Sequence, residues 1–267
     1  MIKSAVTISQ VPSLRGGPWI LWDDLKTSCR KAAELGFGGV ELFTPGPEAH
    51  GLAEILDETG LGLAAVGTGA GKVVHGLTLI DADADVRERA RDFIREMIDF
   101  GAPHNAPAII GSMQGVHGGN REEALQHLAQ GLEELGSHAS SQGVKLIYEP
   151  LNRYETNLFN RIEDGATFLD SLDTDGVVLL ADLFHMNIEE ADIAASLRSA
   201  ARHVGHVHFA DTNRRPIGNG HLDMAPIAAA LKEIHYDKYV SAEAFDWPNP
   251  DAAAKQTMDS FRKYFGP

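Results

Sequence analysis

The sequence predicts an α/β chain closed into a (β/α)8 barrel, and three observations carry that reading. Eight short apolar runs alternate with eight helix-like stretches over 267 residues, and strands that alternate with helices pair in parallel through right-handed crossovers. No long linker or low-complexity segment breaks the alternation. Carboxylates and histidines recur at the carboxyl ends of consecutive apolar runs, the end of such a barrel that carries its chemistry. Barrels of this kind commonly reach about 250 residues as one domain, so residues 1–267 are expected to form a single domain.

In chain order, a strand at Lys3 to Ser9 precedes a helix at Asp23 to Leu35, and Gly39 to Phe43 precedes Ala49 to Thr59. Gly62 to Gly67 leads to Asp85 to Phe100, Ala108 to Met113 to Arg121 to Gln142, and Val144 to Glu149 to Ile162 to Leu172. Val177 to Asp182 leads to Ile193 to Ala201, Val204 to Asp211 to Met224 to Ile234, and Tyr239 to Ala244 to Pro250 to Tyr264. The strands are short and apolar, and the helices carry end signals. Asp23 and Asp85 stand near helix starts, while Gly36, Gly60, Gly101 and Gly143 stand just past helix ends. The glycines at Gly67, Gly69 and Gly71 suggest a dinucleotide-binding turn, but they follow the third strand and lack the G-x-G-x-x-G spacing. A tight turn at the barrel mouth is the preferred reading.

Composition excludes several classes. No apolar segment approaches the roughly 20 residues that span a bilayer, and the first residues enter a strand pattern at Ala5, Val6 and Ile8 without signal-peptide features. A cytoplasmic location is expected. Cys29 is the only cysteine, so no intramolecular disulfide forms, and it reads as a packed helix residue with no acid–base partner beside it. A formal charge of -15 disfavours nucleic acid and anionic membranes. A small molecule is the expected partner, and Arg214 with Arg215 could hold one carboxylate or phosphate. Homo-oligomerisation through the helical exterior is compatible with the composition, which marks no interface.

The chemistry concentrates in Tyr148-Glu149-Pro150-Leu151-Asn152-Arg153-Tyr154-Glu155, Asp182-Leu183-Phe184-His185-Met186-Asn187, His206-Val207-His208-Phe209-Ala210-Asp211 and Ser241-Ala242-Glu243. Strand alternation places Val204, His206 and His208 on one face and Val207 and Phe209 on the other. His208 therefore reaches the mouth from inside, and His206, one step deeper, is expected to hydrogen-bond within a polar layer. Glu149, Asp182 and Glu243 each end an apolar run, where an ionised carboxylate is costly without a cation or a partner. Three carboxylates and one imidazole are hard ligands that suit Mn2+, Mg2+ or Co2+. One divalent cation, Mn2+ first, is expected on Glu149, Asp182, His208 and Glu243. Zn2+ is less favoured, because the helical H-E-x-x-H pattern is absent.

The stretches Glu149 to Thr156, Ala181 to Glu190, His208 to Arg215 and Gly218 to Asp223 resemble the xylose-isomerase-like TIM-barrel superfamily of sugar isomerases and epimerases. Within it they are most similar to ketose 3-epimerases and 5-keto-L-gluconate epimerase. The resemblance implies the same four metal ligands, with Glu149 and Glu243 also serving as the catalytic acid and base. It further implies that Glu155, His185 and Arg214 contact substrate oxygens. Asp211 would act as an acceptor orienting a ligand or Arg214. The loop Gln114 to Gly119 departs from the epimerase pattern, which leaves the sugar open.

The implied reaction removes a proton beside a ketose carbonyl to give an enediolate. Return of a proton to the same carbon gives an epimer, and return to the neighbouring carbon gives aldose–ketose isomerisation. The motifs favour epimerisation of a ketose or keto-sugar acid, with an aldose–ketose or hydroxypyruvate-type isomerase as the alternative. A metal-holding sugar-binding or regulatory barrel lacks support, because every catalytic residue is present. An abasic-site endonuclease would need extra histidines at earlier strand ends, where Phe-Thr-Pro-Gly, Gly-Thr-Gly and Gly-Ser-Met stand instead.

Overall fold

The computed structural model describes residues 1–266. Eight strands, β1 (Lys3–Ser9), β2 (Gly39–Phe43), β3 (Gly62–Gly67), β4 (Ala108–Ile110), β5 (Leu146–Tyr148), β6 (Val177–Asp182), β7 (Val204–His208) and β8 (Tyr239–Ala242), close into a barrel in sequence order. Every neighbouring pair is parallel, and β1 closes against β8 with Ala5 beside Ser241.

Among the described residues, ten α-helices accompany the strands: α1 (Leu25–Leu35), α2 (Leu52–Thr59), α3 (Ala70–Val73), α4 (Ala84–Gly101), α5 (Arg121–Ser141), α6 (Ile162–Leu169), α7 (Leu183–Glu189), α8 (Ile193–Ser199), α9 (Met224–Glu233) and α10 (Pro250–Phe265). Side-chain caps start several of the helices, as Asp24 accepts from the Thr27 amide and Asp83 from the Asp85 amide. Gly36 and Gly60 end α1 and α2 with φ of 89° and 69°, the left-handed turn that glycine adopts without strain. Gly101 differs from the expectation. It is the last residue of α4, and its lack of a side chain admits the Ala106 carbonyl, which an added Cβ would meet at 2.5 Å. Among the described residues, no helix is long and apolar enough to cross a membrane.

Alternation along the strands divides the protein into two packing layers. Val6, Ile8, Val40, Leu42, Val66, Ile110, Leu179 and Val207 join the helices in the main hydrophobic cluster. Ala65, Ile109, Ile147 and Leu180 form a separate cluster inside the barrel. That apolar filling comes from β3 to β6. The interior contributions of β2 and β7 are polar, with Glu41, His206 and His208 all buried.

The structure shortens four expected strands and adds two short helices. β4 gives way to a 3-10 turn at Ser112–Gln114, and β5, β7 and β8 leave the regular ladder at the mouth. Pairing nevertheless reaches the site, since the Glu149 amide donates to the Ile110 carbonyl at 3.0 Å. Two segments read from sequence as turn and loop are α3 and α7, and Asp182 starts α7 by accepting the Phe184 amide at 2.7 Å.

Parity in β7 also differs from simple alternation. The register between β6 and β7 shifts so that Leu179 faces Val204 while Leu180 faces His206. One residue, Gly205, is therefore extra on β7, and Val204 joins the outer cluster with Val207 and Phe209 while His206 and His208 stay inside. A Cβ on Gly205 would lie 2.2 Å from Val178 Cγ2. Gly205→Ala should therefore destabilise the protein by roughly 1–3 kcal/mol through overpacking, measured by urea unfolding. Combining it with Val178→Ala should cost less than the sum of the two single changes, and strict additivity would count against this contact.

Candidate metal centre and active site

Four side chains expected from the sequence meet at one point. Glu149 follows β5, Asp182 ends β6, His208 ends β7 and Glu243 follows β8. His208 Nδ1 lies 3.4 Å from Asp182 Oδ2, 3.6 Å from Glu149 Oε1 and 3.7 Å from Glu243 Oε2. Asp182, His208 and Glu243 form one group able to hold a metal ion, and Glu149, Asp182 and His185 form an overlapping group, each with ligand atoms within 4.8 Å. Gly111 leaves room for the Glu149 carboxylate, since a Cβ there would lie 2.5 Å from Glu149 Oε2.

The charges at this point are not balanced by hydrogen bonds alone. Glu149 Oε1 and His185 Nε2 are buried without a hydrogen-bond partner. Burial, together with the Glu243 and Asp182 carboxylates, pushes the Glu149 carboxyl well above its ordinary range despite His208. Asp182 is also buried, but His185, His208 and Arg214 outweigh the burial and hold it below the usual carboxylate range. Burial opposes the charged form of His208, yet Glu41, Glu243 and Asp182 hold it well above the ordinary histidine value. A cluster that retains protons for want of positive charge is one whose donor set fits a divalent cation.

The expected substrate-contacting residues surround the same point. Asn152 directs both its amide hydrogens at one ring nitrogen of His185, the backbone N–H at 3.3 Å and Nδ2 at 2.7 Å from Nδ1. His185 Nδ1 is thus an acceptor, and in the neutral ring the proton sits on Nε2. Burial also lowers the His185 pKa, so the ring faces the cavity as a neutral N–H donor.

Arg214 bonds Glu243 through Nη2 and lies 3.6 Å from Glu155 Oε1 through Nη1. Its guanidinium stacks over Phe184 at 4.9 Å. Glu155 is fixed from the other side by Asn152 Nδ2 at 3.0 Å.

Two smaller expectations need correction. Arg215 does not join Arg214 in an anion clamp; its guanidinium packs on the Trp247 ring at 4.1 Å. Asp211 does not orient a ligand or the Arg214 guanidinium. It accepts from the Thr212, Gly218 and Leu222 amides, because the returning loop brings those donors closer than either. Asp211 acts on Arg214 only by shaping the turn, where the Arg214 amide donates to the Asp211 carbonyl.

A cavity of about 200 Å3 opens over the cluster, below the ~300–1,000 Å3 typical of drug-sized sites and on the scale of a monosaccharide. Glu149, Glu155, His185, His208, Arg214 and Glu243 line one side. Trp19 and Phe43 form an apolar wall on the other, with ring centroids 4.2 Å apart. The Gly67-Thr68-Gly69 turn lies at this mouth, and Gly69 is needed for space, since a Cβ would meet Phe43 at 3.0 Å. Sequence reasoning missed Trp19, Phe43 and Glu41. Trp19 arrives because the segment after β1 folds back along it, with the Leu21 amide donating to the Thr7 carbonyl. The only local signal for Glu41 is a charge inside the apolar run Gly-Val-Glu-Leu-Phe.

Known proteins share this architecture over nearly the whole chain. An L-ribulose 3-epimerase of Mesorhizobium japonicum is 30% identical over 231 residues, 83% of this chain and 76% of that protein. A D-psicose 3-epimerase of Enterocloster bolteae is 30% identical over 240 residues, 83% of this chain and 77% of its own length. A solved L-ribulose 3-epimerase structure superposes with a TM-score of 0.82 at 25% identity, covering 98% of this chain and 93% of that one. Residues 29–264 match the family described as the xylose isomerase-like TIM barrel, and the chain belongs to that family.

Proposed function

We propose that the chain, acting as one barrel domain, is a divalent-metal-dependent carbohydrate epimerase that moves a proton beside the carbonyl of a ketose. The observation that carries this reading is the convergence of Glu149, Asp182 and Glu243 on His208 Nδ1 beneath a sugar-sized cavity. The epimerase names of the relatives support the same reaction class.

Glu149, Asp182, His208 and Glu243 would hold the cation, with Mn2+ the first choice for a mixed carboxylate and imidazole set and Mg2+ or Co2+ the alternatives. When bound, it supplies Lewis-acid polarisation of the ketose carbonyl and stabilises negative charge developing on the substrate. Glu149 and Glu243 approach from β5 and β8, three strands apart in the ring of eight, so their carboxylates reach the cavity from different directions. One carboxylate is thus placed to take a proton from one face of the reacting carbon, and the other to return a proton to the opposite face.

His185 donates its Nε2–H to a substrate oxygen. Arg214 holds Glu243 in orientation, while Glu155 stands ready to accept from a hydroxyl. Arg214 is the one lysine or arginine lining the cavity among the described residues, and Glu243 and Glu155 already engage it. That pairing favours a neutral ketose over a keto-sugar acid or a phosphorylated sugar.

Glu149→Gln and Glu243→Gln should each lower solvent-proton exchange and epimer formation by at least about 100-fold, measured by deuterium uptake from D2O into a panel of ketoses with Mn2+ present. Retained exchange in both variants removes their assigned roles, and an aldose product would assign isomerisation instead.

Cation binding should release protons. His208 and Glu149 both hold protons to higher pH than free side chains do, so the cation competes with them and its affinity should weaken as pH falls. Calorimetry of Mn2+ binding in two buffers of different ionisation enthalpy measures the release directly. A buffer-independent heat would rule this competition out.

A further inference from the structure

Glu41 has no place in the proton-transfer scheme, yet it is buried on β2 directly behind the metal centre. Its Oε1 accepts from His208 Nε2 at 3.1 Å, and its Oε2 accepts from His206 Nε2 at 2.8 Å. The strand register that sets Glu41 beside Thr7 on β1 fixes it inside the barrel, facing β7 across the interior.

A neutral imidazole has one bare nitrogen, and the hydrogen bond made by the other nitrogen decides which one it is. His208 turns Nδ1 to Glu149, Asp182 and Glu243 and Nε2 to Glu41. We propose that Glu41 is a positioning residue for the metal centre: by accepting the Nε2–H of His208 it aims Nδ1 at the three carboxylates and leaves it as the nitrogen that gives way to a cation. His206 completes the device by occupying the second carboxylate oxygen, which leaves Glu41 one orientation.

The same trio, Glu41, His206 and His208, has the spacing of a ligand set. Its geometry argues for hydrogen bonding, because each histidine Nε2 meets a different oxygen of one carboxylate and none of these atoms is left without a partner. The orphaned Glu149 Oε1 and His185 Nε2 stand instead with the other group, at the mouth.

This inference rests on the reading of His208 as a metal ligand, and binding of Mn2+ alone separates the two. In titrations of the full chain, Glu41→Gln should weaken Mn2+ binding by roughly 10- to 100-fold, the usual effect of losing an outer partner of a ligating histidine. Its metal-free unfolding temperature should stay close to that of the parent. Saturating Mn2+ should restore kcat with the sugar KM unchanged, whereas a merely structural role would lower the metal-free unfolding temperature and resist rescue.

In the unaltered protein loaded with Mg2+, 15N spectra of labelled histidines should show His208 protonated at Nε2 and bare at Nδ1. The opposite tautomer overturns the inference, as does unchanged Mn2+ affinity in Glu41→Gln when His208→Ala has lost it. If His208→Ala keeps full affinity, the metal reading itself fails. Two Mn2+ ions per parent chain, with one lost in Glu41→Gln, would make the trio a second ligand set and also overturn the assignment.

Discussion

The structure is organised around negative charge concentrated in a buried place. Glu149 and Asp182 are buried and Glu243 is half-buried, with ligand atoms of neighbouring members within 4.8 Å of each other. At such separations two like charges repel by about 3–4 kcal/mol for an effective dielectric near 20, and removing each ion from water costs several kcal/mol more. The surroundings answer that cost residue by residue. Asp182 spends one oxygen on the α7 amide and turns the other to His208, Arg214 engages Glu243, and Gly111 clears space for Glu149. Glu149 Oε1 and His185 Nε2 remain without partners. A divalent cation and a sugar hydroxyl are the groups whose chemistry fits that residue of unmet charge and polarity.

The barrel divides its interior to keep this cluster in place. β3 to β6 fill one part with Ala65, Ile109, Ile147 and Leu180, a dry packing that excludes water. On the other side Glu41, His206 and His208 form a continuous hydrogen-bonded path from β2 to β7 and on to the mouth. A buried polar network of this kind is stable only when each member is satisfied. The extra residue at Gly205 accommodates that geometry, because it lets Val204 pack outward while both histidines face inward. Catalytic groups placed on strand ends and braced from behind are held more rigidly than groups on free loops.

Much of this was legible in the residue order. The eight strand–helix units, the closed parallel barrel and the convergence of Glu149, Asp182, His208 and Glu243 follow from apolar periodicity and from carboxylates placed where they could not stay buried alone. His185, Glu155 and Arg214, which the resemblance implied as substrate contacts, line the same cavity. The expectations that fail do so for local reasons. Val204 changes face because a bulge breaks the period of two, Arg215 turns to Trp247, and Asp211 finds three backbone donors closer than any guanidinium.

The sequence by itself determined the barrel and the chemical types gathered at its mouth, because periodicity and spacing record which positions are buried and which strands end together, while its motifs carried the resemblance to the family. Only the tertiary structure decided the partners of those groups. Glu41 lies 165 residues from His206 and 167 from His208, and Trp19 meets Phe43 through a segment with no regular pattern. Hydrogen bonds that select a tautomer, and walls that set the size of a cavity, form between residues brought together by barrel closure. Linear spacing holds no trace of such pairs, since closure joins strands by register and not by distance along the chain.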